Sequence, residues 1–121
     1  MNSNSLSAFS QSKKLASPYI IAPTEKVAER YGVSELEELE YAALEIARTK
    51  SEQEHYPIIA TFDCADLIVA DVIEVEPGII DGTFLLLWED LIAIYRITDE
   101  DEELEWYDVS EYFLLLEKAS E

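Results

Sequence analysis

Several kinds of residue are scarce in this 121-residue chain, and each scarcity closes off a class of chemistry. Cys64 is the sole cysteine, so no disulfide can form within the chain, and a reducing, cytoplasmic compartment suits it. His55 is the sole histidine. Without a second histidine or an adjacent cysteine it has no metal-ligand spacing, which favours a structural or surface role over catalysis. The three glycines, Gly32, Gly78 and Gly82, leave no loop able to cradle a phosphate, and this argues against a nucleotide enzyme. No run of eighteen apolar residues and no signal-peptide core is present, so no membrane role is expected. Cations are scarce too, with 8 Lys and Arg against 27 Asp and Glu, a net charge of −19.

That imbalance exceeds the roughly 2–8 charges that keep a small domain soluble. It is also unevenly placed. Residues 1 to 33 hold Lys13, Lys14, Lys26 and Arg30 against Glu25 and Glu29, a net +2, so residues 34 to 121 carry −21. A surface of this sign repels nucleic acid and anionic membranes and attracts whatever normally binds them. The expected partner is a basic, nucleic-acid-binding protein surface, with no direct contact to nucleic acid. Hydrophobic residues at 49% and aromatics at 11% exclude a wholly disordered acidic chain. The length fits one domain burying about two-thirds of its unfolded surface.

Residues 1 to 17 are rich in Ser and Asn and free of acids, the composition of a flexible arm, and residues 18 to 121 then form a single acidic domain. Thr24 can cap a short helix over 25 to 31 that Gly32 ends in the left-handed conformation, with Val27 and Tyr31 inward. Ser34 and Glu37 have capping-box spacing for a helix from about residue 35 to 50, with Leu36, Leu39, Ala43, Ile46 and Ala47 on its inner stripe. Strands follow at 58 to 62 and 67 to 75, with Pro77-Gly78 and Asp81-Gly82 as turns. Residues 85 to 97 read either as one buried helix or as parts of two strands around Glu89-Asp90, and their β-branched content favours strands. An edge strand at 103 to 109 and a helix at 111 to 118 complete the chain. The expected fold is α+β: N-terminal helices packed on a four- to five-stranded antiparallel sheet, with a short C-terminal helix.

The stretch from 98 to 111 has no Lys or Arg, yet Leu104, Trp106, Tyr107 and Val109 interrupt its acids, which marks an acidic surface tied to a core. The candidate partner-binding residues are Asp99, Glu100, Asp101, Glu102, Glu103, Glu105, Asp108 and Glu111, with Trp106 and Tyr107 as aromatic anchors. A second group, Glu37, Glu38, Glu40, Tyr41 and Glu45, lies outside the inner stripe of the long helix. No catalytic residue, metal ligand or cofactor is assigned. Cys64 is flanked by Asp63 and Asp66, which raise a thiol pKa and weaken it as a nucleophile beside His55. An EF-hand starting at Asp99 would need Gly at position six and Glu at twelve, where Leu104 and Ser110 stand. With so many acids, any one pair chosen as a glycosidase or two-metal site is uninformative.

In size, charge and acidic-aromatic composition, mainly over residues 34 to 121, the chain resembles the phage-encoded DNA mimics that block restriction enzymes or CRISPR effectors. The resemblance has no motif that carries residues across, and it implies a non-catalytic inhibitor lodged in a basic channel. DNA carries a charge about every 1.7 Å of its axis, and carboxylates a helical turn apart have Cβ atoms about 5–6 Å apart. An immunity protein or secretion chaperone masking a cationic toxin or effector is the alternative. A small carboxylate-based enzyme or cation-binding module is the third reading, and it requires a concave site of convergent acids. A homodimer that extends the acidic face is compatible with all of this. Mimicry requires the carboxylates to gather on one outward face. Reversing Glu100, Glu102 and Glu103 to Lys is expected to abolish partner binding with the circular dichroism spectrum unchanged; undiminished affinity would remove this segment from the interface.

Overall fold

In the computed structural model, residues 1–63, 68–98 and 104–119 are described. The protein is α+β, with two three-stranded antiparallel sheets, four α-helices and two short 3-10 turns among those residues. The helices are α1 (Ser3–Ser12), α2 (Glu25–Tyr31), α3 (Leu36–Gln53) and α4 (Tyr112–Ala119). The strands are β1 (Lys14–Ile21), β2 (Ile58–Phe62), β3 (Ile68–Glu76), β4 (Ile79–Leu87), β5 (Leu91–Ile97) and β6 (Leu104–Asp108). None of the described helices is long and apolar enough to cross a membrane.

The expected single sheet is replaced by two, in the orders β1-β4-β3 and β2-β5-β6. Strand β4 explains the division. Strand β3 takes one of its edges and β1 the other, so β5 has no free edge to join. The chain passes through the 3-10 turn Trp88–Asp90, where Glu89-Asp90 were expected to separate two strands, and β5 then pairs with β2 and β6 instead.

The expected flexible arm is the largest departure, because residues 1 to 17 are α1 and the first half of β1. Asn2 caps α1 by accepting the Ser5 amide at 2.8 Å, and Lys13 ends it in the left-handed region at φ 65°. Only two large apolar side chains anchor the helix. Leu6 and Phe9 are fully buried with Ile58, Leu91, Ile94, Tyr107 and Leu115 in the main core, which lies between α1, α4 and the second sheet. Trp88, at the crossover between sheets, stacks edge-on against Phe9 at 5.1 Å and against Tyr112 of α4 at 5.2 Å, with the Lys13 ammonium 4.8 Å over its ring. The Met1 carbonyl accepts the Ile58 amide at 3.1 Å, which attaches the start of the chain to β2.

Helix α2 follows its sequence signals. The Thr24 hydroxyl accepts the Val27 amide, Gly32 closes the helix at φ 65°, and Val27 is buried, although Tyr31 faces outward. Helix α3 starts a residue late for the expected box: Glu35 is its N-cap without a side-chain bond, and Leu36 is exposed. Asp81-Gly82 is not a turn. Both lie within β4, where the register with β1 shifts at Pro18 and the register with β3 shifts between Ala70 and Ile73, so the glycine marks a bulge beside a residue that has no amide donor.

Replacing Leu6 or Phe9 by Ala is expected to destabilise the fold by about 2–5 kcal/mol, as for other deletions of buried side chains. Equilibrium urea unfolding measures this; a dispensable arm would leave the midpoint in place.

Candidate functional site: an acidic cleft along the long helix

The acids of α3 divide according to where the cations fall. In its second half Arg48 pairs with Glu45 at 3.1 Å and Glu52 at 3.0 Å, and Lys50 pairs with Glu54 at 3.1 Å while lying 4.5 Å over the Tyr19 ring. Burial pushes the Glu54 carboxyl up, but hydrogen bonds from Lys50 and from the Tyr19 hydroxyl at 2.9 Å outweigh it and hold its pKa below the usual glutamate range. The first half has no such cations. Glu37, Glu38 and Glu40 are exposed and form no ion pair among the described residues. Glu37 and Glu38 occupy the first turn, where the helix dipole offsets part of their repulsion.

One side of α3 also forms the wall of a cleft of about 1010 Å³, opposite the end of α2 and the β3–β4 turn. Four of the five residues singled out on this helix, Glu37, Glu38, Tyr41 and Glu45, line it, while Glu40 does not. Ala42, Ile46, Pro77 and Ile79 supply apolar lining, and Tyr31 and Glu76, which the sequence reading did not select for binding, complete the opposite side. Tyr31 is 50% and Tyr41 66% exposed, so neither ring is held by the core.

The β3–β4 turn is pinned in place by contacts that set the cleft's shape. Glu74 accepts a hydrogen bond from the Thr24 hydroxyl at 2.5 Å and another from the Gly78 amide at 2.9 Å, and the Ala22 amide donates to the Gly78 carbonyl at 2.9 Å. The Thr24 bond, then the Gly78 bond, hold the Glu74 pKa below the usual glutamate range. A carboxyl lowered on folding contributes stability that is present above its unfolded pKa and is lost as pH falls through the folded one, so this clasp is acid-labile. Gly78 sits at φ 84° with no room for a side chain: a Cβ would lie 2.8 Å from Val27 Cγ2 and 3.1 Å from Ile46 Cδ1.

The other predicted group is placed elsewhere. Asp99, Glu100, Asp101, Glu102 and Glu103 lie outside the described residues, as do Cys64 and Asp66. Strand β6 packs on β5, α4 and the 3-10 turn Val109–Glu111, whereas α3 packs on α2, β1 and β2. No β6 residue lines the cleft, so Glu105 and Asp108 stand apart from the acids along α3, and the single outward face that mimicry requires is left to α3. Several of the β6 acids have internal work. Glu105 lies 3.7 Å from Arg96 and accepts the Tyr107 hydroxyl. Asp108 and Glu111 form a capping box on the 3-10 turn: Asp108 accepts the Ser110 hydroxyl at 2.6 Å and the Ser110 amide at 3.2 Å, and Glu111 accepts the Asp108 amide at 3.1 Å. These bonds, the Ser110 hydroxyl first, hold the Asp108 pKa below the usual aspartate range.

The two expected anchors also separate. Tyr107 is 6% exposed and belongs to the core opposite Ile94, so it cannot reach a partner; Trp106 is 58% exposed beside Tyr95. The alternation of a strand, with successive side chains on opposite faces, already implies that neighbours cannot both point outward. His55 ends the α3 segment in the left-handed region at φ 61°, exposed, with its amide donating to the Glu52 carbonyl at 3.2 Å.

Comparison with protein-family models, with curated proteins and with solved structures finds no significant match to this chain. The functional argument therefore rests on the site itself.

Tyr107→Ala is expected to cost about 3–5 kcal/mol, as truncation of a buried aromatic does, and Trp106→Ala to stay within about 0.5 kcal/mol, as surface changes do. Thermal or chemical denaturation of the two variants separates their roles.

Proposed function

We propose that this protein is a non-catalytic, acidic inhibitor that occupies the basic, nucleic-acid-binding channel of another protein, as phage anti-restriction and anti-CRISPR proteins do. The observation that carries the reading is the first half of α3, where Glu37, Glu38 and Glu40 stand exposed with no cation paired to them among the described residues and Tyr41 stands exposed beside them. Uncompensated carboxylates repeated along one helix present charge at a spacing comparable with phosphates on a strand. A cationic surface that meets them releases counterions and is steered onto them as it would be onto DNA. Trp106 and the acids around β6 would form a second, smaller contact, since Glu105, Asp108 and Glu111 are already engaged within the fold.

The cleft favours a second reading. A long, apolar-lined groove with acidic walls also suits an immunity protein or secretion chaperone that masks a cationic segment of a toxin or effector. Both readings share a basic protein partner, and they differ in whether nucleic acid competes for the same surface.

The test is capture of the partner from lysate at low and high salt, followed by challenge with DNA or RNA. Inhibition by mimicry predicts release by nucleic acid and an affinity that falls steeply with salt. Changing Glu37, Glu38 and Glu40 together to Lys should weaken binding by more than about tenfold while the fold persists. A captured partner that nucleic acid cannot displace would favour masking over mimicry, and unchanged affinity of the triple variant would remove α3 from the interface.

A further inference from the structure

We propose that the cleft along α3 is a docking groove for an extended, arginine- or lysine-bearing segment of the partner protein. This rests on the basic partner inferred above and adds where, and in what form, that partner is held.

The dimensions suit a stretch of chain. The wall that α3 contributes runs from Glu37 to Gln53, about 24 Å at ~1.5 Å of rise per residue. An extended peptide at ~3.3 Å per residue would lay about seven residues along it. The volume of about 1010 Å³ lies at the upper end of the range for small-molecule clefts, roughly 300–1,000 Å³.

The chemistry of the lining selects the charge and the pattern of that segment. Ala42, Ile46 and Pro77 offer an apolar surface, while Glu37 and Glu38 stand on one wall and Glu76 on the other. These three carboxylates form no ion pair among the described residues, whereas Glu45 and Lys50, also in the lining, are already matched to Arg48 and Glu54. Extended chains present alternate side chains to opposite sides. A segment alternating apolar and cationic residues can therefore set one series on the apolar lining and direct the other to the rim. Tyr31 and Tyr41, both exposed, share the lining with these carboxylates, a combination that a guanidinium satisfies by stacking on a ring and by bidentate hydrogen bonding to a carboxylate. Phosphate backbones are excluded by the same carboxylates. Arg30 is the lining cation with no ion-pair partner among the described residues, and it offers a contact for a carbonyl or an acid of the incoming chain.

The test uses the full chain and a fluorescein-labelled heptapeptide alternating Arg and Leu, with an alternating Glu and Leu peptide as its control. Anisotropy should show saturable binding of the Arg peptide alone. Amide shifts in a nuclear magnetic resonance titration should centre on Tyr31, Val33, Tyr41, Ala42 and Ile46. Tyr41→Ala and the pair Glu37→Lys with Glu38→Lys should each weaken the peptide about five- to tenfold or more, while Ile92→Ser, an exposed change on β5, leaves it unaltered. Non-saturable binding, shifts centred on β6, or an affinity indifferent to Tyr41→Ala would overturn the groove. Those results would leave the basic-partner reading standing, because that reading is tested separately: it falls if the captured partner's affinity is indifferent to salt.

Discussion

Repulsion among carboxylates, relieved at only a few points by cations, is the constraint on which this structure turns. Beyond residue 34 the chain has only Arg48, Lys50, Arg96 and Lys118 to set against its acids. Arg48 and Lys50 both fall in the last part of α3, where they tie up Glu45, Glu52 and Glu54, and Arg96 lies across from Glu105. Among the described residues no cation meets the first half of α3, and the helix dipole and solvent moderate its repulsion without neutralising charge. Glu37, Glu38 and Glu40 are therefore left without an ion pair among the described residues on one stretch of one helix, the stretch proposed above to meet a cationic partner.

The core that offsets this repulsion depends on β4. Because β1 and β3 occupy its two edges, the second half of the chain has to build its own sheet, and the interior of that sheet is completed by α1 and α4 from opposite ends of the sequence. Trp88, at the point where the chain changes sheets, touches Phe9 and Tyr112 and so joins both helices to the crossover. The cleft follows from the same arrangement. The β3–β4 turn reaches α2 through Glu74 and packs Gly78 onto Val27 and Ile46, and the space between this clasp and the outer part of α3 remains open.

Local signals suffice where a short stretch carries its own instructions. Thr24 and Gly32 delimit α2 because a hydroxyl cap and a left-handed glycine are decided within a few residues. β2 and β3 with the turn at Gly78 behave likewise. Two departures, the flexible arm and the single sheet, share one origin. A Ser- and Asn-rich segment with only Leu6 and Phe9 to bury looks disordered by composition, yet Asn2 as a cap and two apolar residues one turn apart were the available signal. Without α1 and the start of β1 an edge of β4 is free, and a single continuous sheet is the expectation that follows.

By itself the sequence determined the sign and the excess of charge, the α+β class, the ends of α2 and the concentration of acids on the long helix, because these follow from residue type and from neighbours a few positions apart. Only the tertiary structure decided that β1 would divide the strands into two sheets, that Tyr107 would turn inward while Trp106 faced solvent, and that Asp108 and Glu111 would be engaged as caps. It also decided that Tyr31 and Glu76 would stand across a cleft from Glu37 and Tyr41. Such outcomes depend on which surfaces meet when distant segments compete for the same strand edge and the same core, and no local pattern contains that information.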